Sequence, residues 1–201
     1  MNVYSLFPIP VGEFNLGRFF TVKELNFVNK QETYKNMSNT TSNDRYVLNH
    51  KTMSALHEFV QSCVLEYFKA IYAPKNDVTL RVTQSWLNYS KPGEWHHKHA
   101  HPNSFISGVL YIKAAKESDK IYFYNDEYRQ LEIPTQSFNP HNSRSWWLPV
   151  ETGKLMLFPS SLTHSVEPVQ GDDTRISLAF NTFPVGNMGQ EEALTALHLR
   201  N

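Results

Sequence analysis

The chain has 201 residues, with 19 Lys plus Arg balancing 19 Asp plus Glu and a formal net charge of zero when histidine is neutral. That length suits one domain with an ample core, and the charge balance speaks against a nucleic-acid or anionic-membrane surface. Hydrophobic residues at 40% and aromatics at 13% exclude a disordered chain, and no apolar run approaches the roughly 18 residues of a membrane helix.

The N-terminal stretch MNVYSLFPIPVGEF lacks a basic region followed by a long apolar run, so no signal peptide is expected. Residues 20–30 form a short amphipathic stretch, and the Asn-rich residues 31–50 read as a polar surface loop. The clearest helix follows. Met53, Leu56, Phe59, Val60, Cys63, Val64, Tyr67, Phe68 and Ile71 recur at spacings of three and four, with Thr52 as a candidate N-cap and Pro74 ending the pattern. Cys63 lies on the apolar stripe and reads as a buried structural thiol. As the single cysteine it can form no internal disulfide, which favours a reducing compartment and a cytoplasmic location.

From Val78 the texture changes to strands, at residues 78–90, 105–113, 120–125, 154–160 and 174–183, each rich in β-formers and bounded by Gly, Pro, Asn or Asp. Their irregular spacing, with no long helix between them, predicts an antiparallel sandwich or barrel rather than a parallel α/β sheet. Residues 125–145 form a long polar loop, either a substrate lid or a plain surface loop. The segment EEALTALHLR is a short helix candidate. The expectation is one domain over 1–201, mainly β with flanking helices: a largely helical N-terminal support at 1–75, a barrel core at 78–185, and a C-terminal tail or helix at 186–201.

Nine histidines are present, and His96, His97, His99 and His101 fall within six residues. On a strand, period two puts His97, His99 and His101 on one face and His96 on the other. Imidazoles at i and i+2 can reach one metal ion, and a third from a distant strand closes a facial set with three positions open. His164, following the strand that ends in Phe158-Pro159, is the natural third ligand. The competing reading is a polar patch that binds metal through composition alone.

Two metal-binding barrel families share parts of this pattern. Gly93 and His99-x-His101, with Gly153, Pro159 and His164, resemble the two cupin motifs. The Glu ligand that a cupin places four or five residues after the second His is replaced here by Phe105 and Ile106. The iron(II)/2-oxoglutarate-dependent oxygenases instead follow their distal His, roughly ten residues on, with an Arg for the distal carboxylate of 2-oxoglutarate. Arg175 lies eleven residues after His164 and shares a strand face with Ser177. A guanidinium beside a hydroxyl is a natural carboxylate receptor. Asn88-Tyr89-Ser90-Lys91-Pro92-Gly93 resembles the Asn-x-Tyr-x-Pro-Gly stretch of the alkylated-nucleobase repair dioxygenases. That resemblance selects His99 and His101 as the close pair and suggests Asn88 as a cosubstrate contact. Ser90 stands where that stretch has its Tyr, which leaves Tyr111 as the candidate hydroxyl.

The whole pattern has a nearer match. LFPIPV, W-x-N at Trp86–Asn88, G-x-x-H-x-x-H-x-H-P-N-S from Gly93, S-G-V-L-Y from Ser107, L-F-P-S-x-x-x-H from Leu157 and R-I-S-x-x-F-N from Arg175 together resemble the 2-oxoglutarate/iron(II) oxygenases of bacteria and phages. The resemblance implies a double-stranded β-helix (jelly-roll, cupin-like) barrel and, for a phage-encoded member, the host cytoplasm. It implies iron(II) on His99, His101 and His164, with 2-oxoglutarate and O2 as cosubstrates and ascorbate as a stimulant. Arg175 and Ser177, with Asn88 and Tyr111, would contact 2-oxoglutarate. The implied reaction is hydroxylation of a peptide or protein side chain or a small metabolite, releasing succinate and CO2. The chain departs from the pattern at His101, where most of the superfamily has a carboxylate, and at Asn125-Asp126, where members have Asp-Pro. An apolar wall of Trp86, Phe105, Val109, Phe158 and Phe180 is expected around the metal. Arg129, Arg144, Trp146 and Trp147 in 125–147 are expected to frame the substrate. His96 and His97 read as neighbours of the metal, the other histidines as bystanders. The rival is a cupin-like metal barrel, an isomerase or binding protein that does not use 2-oxoglutarate.

Overall fold

Alternation of side chains along two long strands organises the molecule. The computed structural model describes residues 1–75, 77–126 and 131–200. Strand β4 (Val78–Ser90) pairs antiparallel with the last long strand, β11 (Arg175–Met188). Around them the larger sheet adds β1 (Gly12–Asn15), β2 (Thr33–Lys35), β3 (Thr40–Ser42), β6 (Ile106–Lys113), β9 (Lys154–Pro159) and β12 (Leu197–Leu199), in the order β1-β9-β6-β11-β4-β3-β2 with β12 on the end of β11. The smaller sheet runs β5-β10-β7-β8, from β5 (His96–His99), β7 (Lys120–Tyr124), β8 (Ser145–Pro149) and β10 (His164–Val166). These are the two faces of a double-stranded β-helix.

Each face of the larger sheet buries a different set of residues. Leu87, Leu110, Leu155, Leu157, Leu178 and Phe180 point outward and pack on helix α2 (Ser54–Tyr72) through Leu56, Val60 and Val64. The inward residues Tyr111, Met156 and Phe158 meet Ile121, Phe123 and Leu162 between the sheets. The apolar stripe of α2 thus covers the outer face, and the inner face is left for polar side chains. Pro74 follows the helix, whose last turn closes through Ala73 in the left-handed region (φ 42°), its N–H donating to the Lys69 carbonyl. Cys63 is buried in this core, and burial pushes its thiol up to about 11.

Several expectations are corrected. Thr52 does not cap α2: two short 3-10 turns, Val47–Asn49 and Lys51–Met53, lead into it, and Met53 at the cap makes no side-chain bond. Residues 31–50 are not a surface loop. They contribute β2 and β3, and bury Asn39, Thr41, Ser42, Val47 and Leu48. Their polarity is compatible with burial because the hydroxyls serve the sheet: Leu87 N–H donates to Ser42 Oγ (3.0 Å) and Thr41 Oγ1 to the Leu87 carbonyl (3.0 Å). The N-terminal 1–75 is therefore mixed, with three strands beside α1 (Val22–Asn29) and α2. At the other end β11 runs to Met188, and Leu197–Leu199 pair with Gly186–Met188 instead of forming a helix. So short a segment cannot offset helix nucleation, whereas an open strand edge offers it ready-made partners. Phe180 and Phe105 leave the expected inner wall: Phe180 falls on the α2 side of β11, and Phe105 packs on Phe68 and Tyr72. Among the described residues no helix is long and apolar enough to cross a membrane.

Gly108 marks the tightest point of the outer face. It lies opposite both Phe180 and Leu157 in the ladders, and a Cβ there would sit 2.2 Å from Phe180 Cζ and 2.7 Å from Leu157 Cδ2. Gly108→Val is expected to overpack this layer by roughly 1–3 kcal/mol, which thermal denaturation would register as a fall of roughly 2–12 °C.

Candidate metal centre

His99 and His164 are direct cross-strand partners on β5 and β10, with ring centroids 4.4 Å apart. His101 follows β5 in the turn, and its N–H donates to the Ser160 carbonyl (2.9 Å). A buried hydroxyl cluster holds this turn in place. Ser160 Oγ donates to Ser104 Oγ (2.7 Å), and Ser107 Oγ lies 2.8 Å from Ser160 Oγ and donates to Asn181 Oδ1 (2.9 Å). The H-P-N-S, S-G, P-S-S and F-N-T stretches of the sequence therefore meet at one point, where they position His101.

One ligand nitrogen from each of His99, His101 and His164 lies within 4.8 Å of the others. The His99 Nδ1–H donates to the His97 carbonyl (2.7 Å) and the His164 Nδ1–H to the Leu162 carbonyl (3.0 Å). Those bonds select the tautomer that leaves each Nε2 lone pair free. His101 Nε2 and His164 Nε2 are 3.4 Å apart. Two nitrogens bound about 2.1 Å from one ion at a right angle would be about 3.0 Å apart. Burial lowers all three imidazoles, with neighbouring histidines adding to it, His101 to about 4 and His164 to about 3. They are neutral at physiological pH and surrender no proton on meeting a cation. The donor set fits a divalent transition metal.

His96 departs from the period-two expectation. His164 pairs with His99 and Val166 with His96, so β5 spends three steps where β10 spends two. The extra residue is a β-bulge, which reverses the side-chain parity. The His96 ring is thereby brought 4.7 Å from His99 and 5.1 Å from His97, with Asn39 Nδ2 at 3.1 Å from its Nδ1. Asn39, from a stretch expected to be a loop, was not legible as part of this centre. Of the expected apolar wall, Phe158 packs on His164 at 4.6 Å and Trp86 stands 5.8 Å from His101.

The ladders place the remaining candidates in one row of the inner face. Ser177 on the central β11 is the cross-strand partner of both Asn88 on β4 and Tyr111 on β6, and Arg175 lies two residues earlier on β11, opposite Ser90. Tyr111 Oη and Asn88 Oδ1 are buried with no hydrogen-bond partner, the pattern of a polar site awaiting a ligand. Burial pushes the Tyr111 phenol upward, so it stays a neutral donor. Arg175 is 5% exposed. It donates to Asp119 Oδ1 (2.8 Å) and to the Glu167 carbonyl (3.1 Å). Nothing in the sequence pattern singled out Asp119. Trp146 and Trp147 are half-exposed on β8 with Arg144 beside them, and Arg129 lies outside the described residues.

Residues 84–181 match the family model described as "Putative 2OG-Fe(II) oxygenase". Curated proteins gave no sequence match. Among solved structures, the chain resembles HygX from Streptomyces hygroscopicus with nickel, 2-oxoglutarate and hygromycin B bound (TM-score 0.59, 11% identity, 87% of this chain and 82% of that one). It also resembles a Pseudomonas putida prolyl-4-hydroxylase (0.54, 12%, 86% and 92%) and a 2OG-Fe(II) oxygenase family oxidoreductase from Burkholderia pseudomallei (0.56, 13%, 85% and 84%). At these identities the structural likenesses establish the double-stranded β-helix fold, and the matched segment carries His99, His101, His164, Asp119 and Arg175. The segment that matches the 2OG-Fe(II) oxygenase family model is thus the one that carries the candidate metal centre, on a fold shared with structures that hold 2-oxoglutarate.

Proposed function

We propose that His99, His101 and His164 hold the iron(II), that Arg175 with Ser177, Asn88 and Tyr111 receives 2-oxoglutarate, and that the reaction hydroxylates a peptide or protein side chain or a small metabolite. The observation that carries this reading is the shared geometry of the inner face. Three neutral imidazoles converge at one end of the barrel, and a row of unpaired polar groups leads to a buried guanidinium. When bound, iron(II), 2-oxoglutarate and O2 supply the oxidation: one oxygen atom goes to the substrate, the other to succinate, and CO2 leaves.

The chain's own residues do the rest. His97 and Leu162 carbonyls keep the His99 and His164 rings oriented. The Ser104–Ser107–Ser160–Asn181 cluster fixes the turn that presents His101. Phe158, Val109 and Met156 line the inner face and would exclude water beside a bound metal. A groove of about 550 Å³ is lined by Pro8, Pro10, Tyr124, Asp126, Leu162 and Thr163, the last adjacent to His164 in the chain. A second hollow of about 440 Å³ lies under residues 131–147, against Trp146 and Trp147. Both substrate classes have support among the structural neighbours, one of which binds hygromycin B while another is a prolyl hydroxylase. A single buried cysteine suits a reducing compartment and supports a cytoplasmic location.

Supplied with iron(II), ascorbate and 2-oxoglutarate, the protein is expected to release succinate slowly without substrate and to develop a visible charge-transfer band when assembled anaerobically. Neither signal would leave the cupin-like reading in place. His101→Ala is expected to lower iron affinity by more than about 100-fold, since even partners of ligands contribute 10–100-fold, whereas His101→Asp retains the metal. Equal affinity in wild type and His101→Ala would remove His101 from the ligand set. Arg175→Met is expected to raise the KM for 2-oxoglutarate by roughly 10- to 150-fold, as loss of about 1.5–3 kcal/mol of charge-assisted hydrogen bonding predicts, with iron binding unchanged.

A further inference from the structure

A carboxylate of the chain itself sits on Arg175. Asp119 is 4% exposed and Arg175 5%, and their 2.8 Å contact lies out of water. Asp119 is anchored on every side. Its Oδ2 accepts the Ala115 N–H (2.7 Å), its own N–H donates to the Ala115 carbonyl (2.8 Å), and its carbonyl accepts the Val150 N–H (3.0 Å). Arg175 is tied in turn to the Glu167 carbonyl. The pair is therefore a fixed, charge-neutral unit at the end of the row formed by Ser177, Asn88 and Tyr111. A second buried cation, Lys154 on β9, is likewise engaged, by Glu13 (3.0 Å) and the Pro149 carbonyl.

We propose that Asp119 is a specificity-determining residue for the cosubstrate: by sharing Arg175 with the distal carboxylate, it weakens the hold on 2-oxoglutarate and narrows its advantage over 2-oxo acids with an uncharged end. The proposal rests on the assignment of Arg175 as the distal-carboxylate receptor. With 2-oxoglutarate in place, one buried cation stands between two carboxylates, and like charges in a shared site oppose one another. A methyl-ended 2-oxo acid meets no such repulsion. Removing the charge of Asp119 acts on both states. It leaves Arg175 buried without its counter-ion in the empty protein, which is costly, and the arriving carboxylate then relieves that cost. Both effects tighten 2-oxoglutarate, and neither favours the neutral-ended analogue.

The test compares the full-length wild type with Asp119→Asn and Arg175→Met, each loaded anaerobically with iron(II). Affinities for 2-oxoglutarate and for 2-oxopentanoate, the same carbon chain ending in methyl, are read from the charge-transfer band. The thermal shift each ligand produces is measured in parallel. Asp119→Asn keeps an acceptor for Arg175 and is expected to bind 2-oxoglutarate about tenfold or more tightly, with 2-oxopentanoate nearly unchanged. Its melting temperature should start lower than that of the wild type and rise further with 2-oxoglutarate. An unchanged or smaller preference for 2-oxoglutarate in a folded Asp119→Asn would overturn the proposal, because a merely structural Asp119 would misplace Arg175 and erode that preference. Should Asp119→Asn not fold, Asp119→Ser, which retains an acceptor for the Ala115 N–H, is judged by the same ratio. If Arg175→Met keeps the full preference, Arg175 is not the receptor and both readings fall. If Arg175→Met loses it and the Asp119 variants do not increase it, only the role of Asp119 falls.

Discussion

The antiparallel register of β11 between β4 and β6 is the constraint on which the rest depends. Arg175, Ser177 and Ala179 face inward because Ile176, Leu178 and Phe180 must face α2. A slip by one residue would exchange the two sets, burying a guanidinium against the helix core and emptying the inner face of its polar groups. The apolar stripe of α2 thus does more than stabilise the sheet. It decides which side of β4, β6 and β11 is available for chemistry. The close contact of Gly108 with Phe180 and Leu157 belongs to the same packing layer.

Within the smaller sheet a local irregularity matters as much as the regular ladder. The bulge in β5 turns His96 toward His99 and gathers a crowd of imidazoles at the mouth of the barrel. Burial keeps His101 and His164 neutral, and backbone carbonyls orient His99 and His164. A metal held by three neutral ligands keeps its full double charge, which favours a dianionic cosubstrate over a neutral one. Held by the three histidines, such a metal would face, along the inner face, an Arg175 already partnered by Asp119. On the proposed assignment, the two ends of the cosubstrate pocket would be unequal, one strongly cationic once metal is bound and the other nearly neutral.

Much of the architecture was legible because it rests on local periodicity. The α2 stripe, the strands at 78–90, 105–113, 154–160 and 174–183, and the joint spacing of His99, His101, His164 and Arg175 are all statements about residues on one element or about order along the chain. The misreadings occurred where a distant partner overrides local character. Residues 31–50 are polar, yet Thr41 and Ser42 are buried because Leu87 takes up their hydroxyls. Residues 197–199 join the edge of β11 because that edge lies open beside them.

What the sequence determined by itself is the inventory and spacing of the chemistry: three histidines at strand-compatible positions, an Arg and a Ser on a shared strand face, and alternation strong enough to build a barrel. Only the tertiary structure decided which groups those residues meet. It brought Asp119 onto Arg175 across 56 positions of chain, set Asn39 against His96, moved Phe105 and Phe180 to the outer face, and knitted Ser104, Ser107, Ser160 and Asn181 around the turn that presents His101. Periodicity fixes the face a side chain takes. Which side chain stands opposite depends on strand order, register and bulges, and those are set by packing across the whole domain.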